Sequence, residues 1–307
     1  MRAARTAAWI FGRVAKMIIT RTPFRISFAG GGTDLEAFYA REEGCVLSCT
    51  INKYMYLIAH PFASPNQIQV KYSRTEIADH AKDIDHPIFR AALQRMGVQR
   101  GIEIGSFADV PAGSGLGSSS AFTVGLLHCL SGYKSQIASK AFLAETACSV
   151  EIDDLGEPIG KQDQYAAAYG GLNFMRFQSS GAVQVEPVPV DPHRRAELSE
   201  SLLMFSLGET REARGILSQQ REVTLSDGAK FASLSSMAEL ARGLRETLVG
   251  GDLSEFGRYL HEGWLLKRSL TSRVSSERID YYYERATQLG GALGGKLLGA
   301  GGGGYLL

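Results

Sequence analysis

Three glycines and four serines stand in one run, PAGSGLGSSS, from Pro111 to Ser120. Gly113, Gly115 and Gly117 precede an apolar stretch that reads as a buried helix. Glycine permits a left-handed backbone and close approach to a ligand. The start of a helix adds unpaired N–H groups and the positive end of the helix dipole. Together these make an anion site. Ser118, Ser119 and Ser120 carry hydroxyls able to cap the helix, bond phosphate oxygens or reach a magnesium ion. The run is not a Walker loop, because no G-K-[ST] follows. It is not the dinucleotide fingerprint either, which needs glycine where Ser118 stands. A glycine turn ahead of a helix also serves plain packing, so the neighbours decide. Glu151 lies in a second helical stretch, and Asp163 follows twelve residues later within GKQDQ. An acid at such a helix start is placed to accept a proton from a hydroxyl. An isolated carboxylate more commonly faces solvent.

The elements that must position these groups follow from pattern. IITRTPFRISF (Ile18–Phe28) reads as a strand, with Pro23 marking an edge position or a bend. AGGGTDLEAFY is a glycine turn with Thr33 and Asp34 as capping types, then a helix start. VLSCTINKYMYLIAH, QIQVKYS and GIEIGSFADV read as strands. HPIFRAALQRMG reads as a helix ending at Gly97. The glycine-serine run opens a helix, KAFLAETACSVEIDDLG forms another ending near Gly156, and GKQDQYAAAYGG a short third. LNFMRF and AVQVEPVPV are strands. The polar DPHRRAELS segment sets a domain boundary near Asp191. SLLMFSLG then reads as a strand, long helical patterns run to Leu289, and a glycine-dense loop leads into a last strand. Hairpin-like strand pairs mixed with single crossovers indicate an α+β or mixed α/β fold. The domains are expected at 17–190 and 191–307.

The bulk properties narrow the partners. A chain of 307 residues with 44% hydrophobic and 21% charged content has ample material for a core. A formal net charge of +1 gives no reason to expect nucleic acid, so attraction for an anion must be local. Cys45, Cys49, Cys129 and Cys148 form no CxxC pair and read as buried thiols, as in a reducing cytosol. The six histidines show no metal-ligand spacing. Residues 1–16 are rich in Arg and Ala and lack acid, and Arg13 and Lys16 break their apolar stretch. That segment is too short to span a membrane; an amphipathic targeting segment is one reading, and a disordered extension or an over-long start, with Met17 able to serve as the start, is the favoured one.

PAGSGLGSSS matches the P-x-x-x-G-L-G-S-S signature of the GHMP kinases through Pro111, Gly115, Leu116, Gly117, Ser118 and Ser119. RTPFRISFAGGGTD resembles their N-terminal sugar-site motif, and KLLGAGGGGYLL their C-terminal glycine motif. Three motifs in order from Arg21 to Leu307 are a specific match. The resemblance implies two α+β domains: an N-terminal ribosomal protein S5 domain 2-like fold and a C-terminal ferredoxin-like one, with the site between them. It implies a kinase using ATP and magnesium. Pro111, Gly113, Ser114, Gly115, Leu116, Gly117, Ser118, Ser119 and Ser120 would surround the nucleotide, and Ser119 and Glu151 would hold the metal. Asp163 would face the acceptor hydroxyl, with Arg25 beside the transfer path. Arg21, Gly31, Gly32 and Asp34 would contact the acceptor.

GGGTD and GKQDQYAAAYGGLNF look most like the kinases of D-glycero-D-manno-heptose 7-phosphate in bacterial surface-sugar synthesis. GETREARGILSQQ resembles a segment of that group, so Thr210, Arg211 and Arg214 are candidates for a substrate phosphate, with Lys161 behind them. A solvated arginine at a helix start is the competing reading. The implied product is the 1,7-bisphosphate. A cytoplasmic enzyme with small-molecule substrates and no membrane partner follows, and a homodimer is compatible with it. Other acceptors (fucose, galactose, a mevalonate-type alcohol) and a non-catalytic sugar and ATP sensor are the alternatives. Family members run on past the third motif, so the stop at Leu307 reads as a truncated C-terminus.

Overall fold

A computed structural model describes residues 17–208 and 214–307. The expectations for residues 1–16, Thr210 and Arg211 lie outside the described residues. Strand β1 (Ile18–Ala29) pairs antiparallel with the long β2 (Gly44–Pro61). Their register shifts between Pro23, opposite Tyr54, and Arg25, opposite Thr50. Proline cannot donate to a ladder, so it sits at the irregularity. At this break the Arg25 N–H bonds the Leu116 carbonyl at 3.1 Å, which docks the glycine run on the strand.

β2 is the spine of a seven-stranded mixed sheet. Its later half pairs with β5 (Ile102–Ala108) and its earlier half with β6 (Leu172–Phe177). β3 (Ile68–Lys71) runs parallel to β5, with β4 (Thr75–Ala78) and β7 (Val183–Pro187) at the two ends. Helix α1 (Glu36–Tyr39) follows the first glycine turn, and α2 (Pro87–Arg95) precedes β5. Helix α3 (Ser118–Tyr133) is buried nearly all round against β1 and β2, as its unbroken apolar character dictates.

The expected single helix through Glu151 is two pieces. Helix α4 (Lys140–Cys148) passes into a π-helical turn at Ser149–Asp154, closed by the Leu155 N–H on the Val150 carbonyl at 3.1 Å. Glu151 sits in that widened turn, fully buried. Helix α5 (Gln162–Tyr169) carries Asp163 in its first turn.

Past residue 190 the polar segment is itself helix α6 (Pro192–Ser201), capped by Asp191 with proline at its first position. The expected strand there shrinks to β8 (Phe205–Ser206). Helices α7 (Arg214–Ser226), α8 (Gly228–Gly250), α9 (Ser254–Leu270) and α10 (Glu277–Gln288) follow. β9 (Tyr305–Leu306) pairs with β8 and bridges back to Leu297, so residues 296–307 form a hairpin with the glycines at its tip. One apolar core joins Phe24, Leu57 and Leu126 to Leu244, Phe256 and Leu298, fixing the C-terminal helices on the sheet.

Candidate active site

The glycine run and the C-terminal hairpin close on one another. Gly113, Gly115 and Gly117 have φ of 73°, 78° and 76°, in the left-handed region. A Cβ at Gly115 would stand 2.6 Å from the Leu298 carbonyl oxygen, and one at Gly299 2.5 Å from the Gly115 Cα. Two glycine motifs far apart in sequence therefore meet backbone to backbone. Gly117 occupies the cap of α3, which aims the helix start, with Ser118, Ser119 and Ser120, into a cavity of about 410 Å³.

Beneath that helix start lies a buried carboxylate. Ser119 Oγ donates to Glu151 Oε1 at 2.5 Å, Ser120 Oγ to Oε2 at 2.9 Å, and Gln164 Nε2 to Oε2 at 2.7 Å. Burial pushes the Glu151 carboxyl above its ordinary value, opposed by these three donors. The donors available to a ligand here are all oxygens, one carboxylate flanked by hydroxyls, which suits a hard divalent cation.

Another wall of the cavity comes from β1 and α5. Arg25 grips Asp163 bidentately, Nε on Oδ1 at 2.7 Å and Nη2 on Oδ2 at 2.5 Å, while Nη1 bonds the Gly115 carbonyl at 2.7 Å. Arg25 is thus the joint between the glycine run and the acid. Asp34 is buried and accepts from the Gly32 N–H at 2.9 Å and from the backbone and side chain of Gln162, each at 3.1 Å. Burial raises its carboxyl, with Asp163 adding to the rise.

Arg25, Gly31, Gly32, Asp34, Gly113, Gly115, Gly117, Ser118, Ser119, Ser120, Glu151 and Asp163 all line this one cavity. Leu116 and Ser114 are buried behind the loop, and Pro111 is exposed. Arg21 stands apart on the exposed side of β1, its guanidinium 4.5 Å from the Tyr54 ring centre. Strand alternation takes it away from the face that Arg25 reaches after the register shift. Lys161 also turns elsewhere, to the Gly181 carbonyl at 2.8 Å. Arg214 reaches the cavity and meets Glu157 at 3.4 Å.

Sequence reasoning missed Lys267 and Lys296, both buried and both on the cavity wall. Burial pulls Lys267 down to about 8, and pulls Lys296 well below the ordinary lysine range with help from Lys267 and Arg25. The signal was present: Phe256, Leu260 and Trp264 form the buried stripe of α9, and Lys267 continues it.

The model of the GHMP kinases N terminal domain matches residues 76–171, and that of the GHMP kinases C terminal matches residues 237–307. The D-glycero-alpha-D-manno-heptose 7-phosphate kinase of Campylobacter jejuni is 30% identical over 304 residues, covering 95% of this chain and 88% of that one. The chain belongs to the GHMP kinases. It is a phosphotransferase with an alcohol acceptor, and ATP is the donor this family uses. The galactokinase of Pyrococcus furiosus is 28% identical over 321 residues, covering 94% of this chain and 87% of that one. A solved D-glycero-D-manno-heptose 1-phosphate kinase from Bacteroides thetaiotaomicron superposes with a TM-score of 0.75 at 25% identity, covering 95% and 87%. The expected two-domain α+β kinase fold stands, as GHMP kinase N- and C-terminal domains with a mixed sheet and helices. No helix among the described residues is long and apolar enough to cross a membrane.

Proposed function

We propose that the enzyme moves the γ-phosphoryl group of ATP to the anomeric hydroxyl of D-glycero-D-manno-heptose 7-phosphate, giving the 1,7-bisphosphate for nucleotide-heptose synthesis. The observation that carries this reading is Asp163, held by Arg25 on the wall of the cavity that the glycine loop enters. The loop N–H groups and the α3 start hold the donor phosphates before reaction. Arg25 fixes the Asp163 carboxylate through both oxygens, leaving each with a further lone pair for the acceptor O–H. Asp163 takes that proton as the hydroxyl oxygen bonds phosphorus and the bond to the ADP oxygen breaks. Asp34 accepts from sugar hydroxyls, and the Gly31–Gly32 turn shapes the wall beside it. Ser119 and Glu151 fit magnesium by their oxygen donors, and the ion when bound neutralises phosphate charge. Residues 17–190 would supply loop, metal set and base, and residues 191–307 the hairpin that closes on them. The two small anionic substrates and four free thiols suit a cytoplasmic enzyme.

The test is ADP release with magnesium and ATP across the heptose 7-phosphate, mannose, fucose, galactose and mevalonate. Turnover with the heptose phosphate alone supports the reading. Preference for a neutral acceptor overturns it in favour of another GHMP kinase activity, and ATP binding without any turnover favours a sensor.

A further inference from the structure

Two ammonium groups are buried in this cavity without a counter-ion. Lys267 reaches in from α9 and donates to the carbonyls of Gly299 and Leu297, the latter at 3.4 Å. Lys296 comes from the foot of the hairpin and donates to the Phe28 carbonyl on β1 at 3.1 Å. Lys267 is 7% and Lys296 6% exposed, and neither lies within 4.0 Å of a carboxylate among the described residues. An ammonium has three N–H donors, so one on Lys267 and two on Lys296 lack a protein acceptor among the described residues. A buried charge without its partner is expensive, so burial favours the neutral amines, and an anion placed between them restores the ammonium form.

The other charges on the wall are already engaged. Arg25 is spent on Asp163, and Glu151 is held by its three donors. The donor phosphates have their own place at the glycine loop and the α3 start. Lys296 instead rests on β1, one residue from Ser27, whose buried hydroxyl has no partner, and just ahead of the turn carrying Asp34. Gln162 Oε1 is likewise buried and unpartnered, while its amide nitrogen holds Asp34. Ser114 Oγ and Gln164 Oε1 beside the glycine loop are also buried without partners, but the unfilled ammonium donors come from Lys267 and Lys296, and Lys296 stands beside Ser27 and the Asp34 turn. A phosphate monoester carries about −1.5 to −2 charge near neutral pH, the complement of two ammonium groups.

Resting on the proposed acceptor reading, we propose that Lys267 and Lys296 bind the phosphate the acceptor already carries, and so select a phosphorylated sugar over its neutral counterpart. Lys267→Met and Lys296→Met keep length and remove charge. Each should raise KM for the heptose 7-phosphate about 10- to 100-fold, the range of a lost hydrogen bond to a charged group. KM for ATP should stay within about twofold, since the donor has separate contacts. Thermal stabilisation of the nucleotide-free wild type by heptose 7-phosphate should be lost in both variants, while the weaker effect of unphosphorylated heptose persists. Lys→Gln replaces Lys→Met at either position where the methionine variant does not fold. Variants that bind heptose 7-phosphate like the wild type overturn the proposal. So do a rise in KM for ATP, or an equal fall in turnover with phosphorylated and neutral heptose, which would assign the lysines to the transferring group. The binding arm reads out without turnover. A wild type stabilised through the lysines yet inactive on this sugar sinks the acceptor reading alone, and a wild type not stabilised by it sinks both.

Discussion

The two halves of the cavity proposed for the donor and for the acceptor are built in opposite ways. The donor half is nearly continuous in sequence, from Gly113 to Ser120, with Glu151 and Gln164 beneath. Its one buried charge has three partners. The acceptor half draws Ser27, Asp34, Asp163, Lys267 and Lys296 from across the chain, and leaves Ser27 Oγ and lysine N–H groups open. The glycine-loop half thus answers its buried charge locally, although Ser114 Oγ and Gln164 Oε1 there have no partner. On the proposed reading, the acceptor supplies what the other half leaves open.

Asp163→Asn attacks the acceptor half most directly. It should lower kcat about 10²- to 10⁴-fold, the usual worth of a general base, with ATP affinity nearly intact by fluorescence titration. Full turnover would remove Asp163 from the mechanism. Ser119→Ala strikes the donor half instead, and should shift the magnesium titration of activity to higher concentration while KM for the sugar holds. An unmoved titration would place the metal elsewhere.

Gly115→Ala tests the joint between the halves. A side chain there meets the Leu298 carbonyl in a backbone at φ 78°. Strain at such a position costs about 1–3 kcal/mol, so Tm should fall and both KM values rise together. A change in one KM alone would mean the halves are independent.

The lysines give the comparison a pH signature. Lys267 lies near Arg25 on β1, Asp34 in the turn that follows it, Asp163 on α5 and Lys296 in the hairpin. Its ammonium is lost as pH rises through about 8, so KM for a phosphorylated acceptor should climb there while KM for a neutral one stays flat. Stability without ligand moves the other way. Between about 8 and 10.5 the unfolded chain holds the proton that folded Lys267 has released, so this group makes unfolding harder as pH rises. Denaturant midpoints at pH 7.5 and 9.5 measure it. The smallest effect belongs to Arg21→Ala: Arg21 packs on Tyr54 outside the cavity, and kinetics within about twofold of the wild type are expected.

The strands and helices of the first 190 residues were legible because period and turn chemistry agree there. The strand at Ile18, the bend at Pro23 and the buried helix at Ser118 stand as read. The helix at Pro192 escaped because a polar, proline-containing stretch looks like a linker, although Asp-Pro is also a helix start. The π turn at Glu151 escaped because one extra residue in a turn leaves no mark on composition.

By itself, the sequence determined the glycine loop and the family, and singled out acids that line one cavity with that loop, because these rest on short runs of glycine, serine and carboxylate at set spacings. Only the tertiary structure decided that Arg25 and not Arg21 faces the cavity, that Gly115 abuts Gly299, and that two lysines lie buried without a carboxylate partner among the described residues. Those facts depend on which face a strand shows after a register shift and on what a hairpin covers when it folds back. Both are set by long-range packing, and only Lys267, on the apolar stripe of α9, leaves a local trace of its burial.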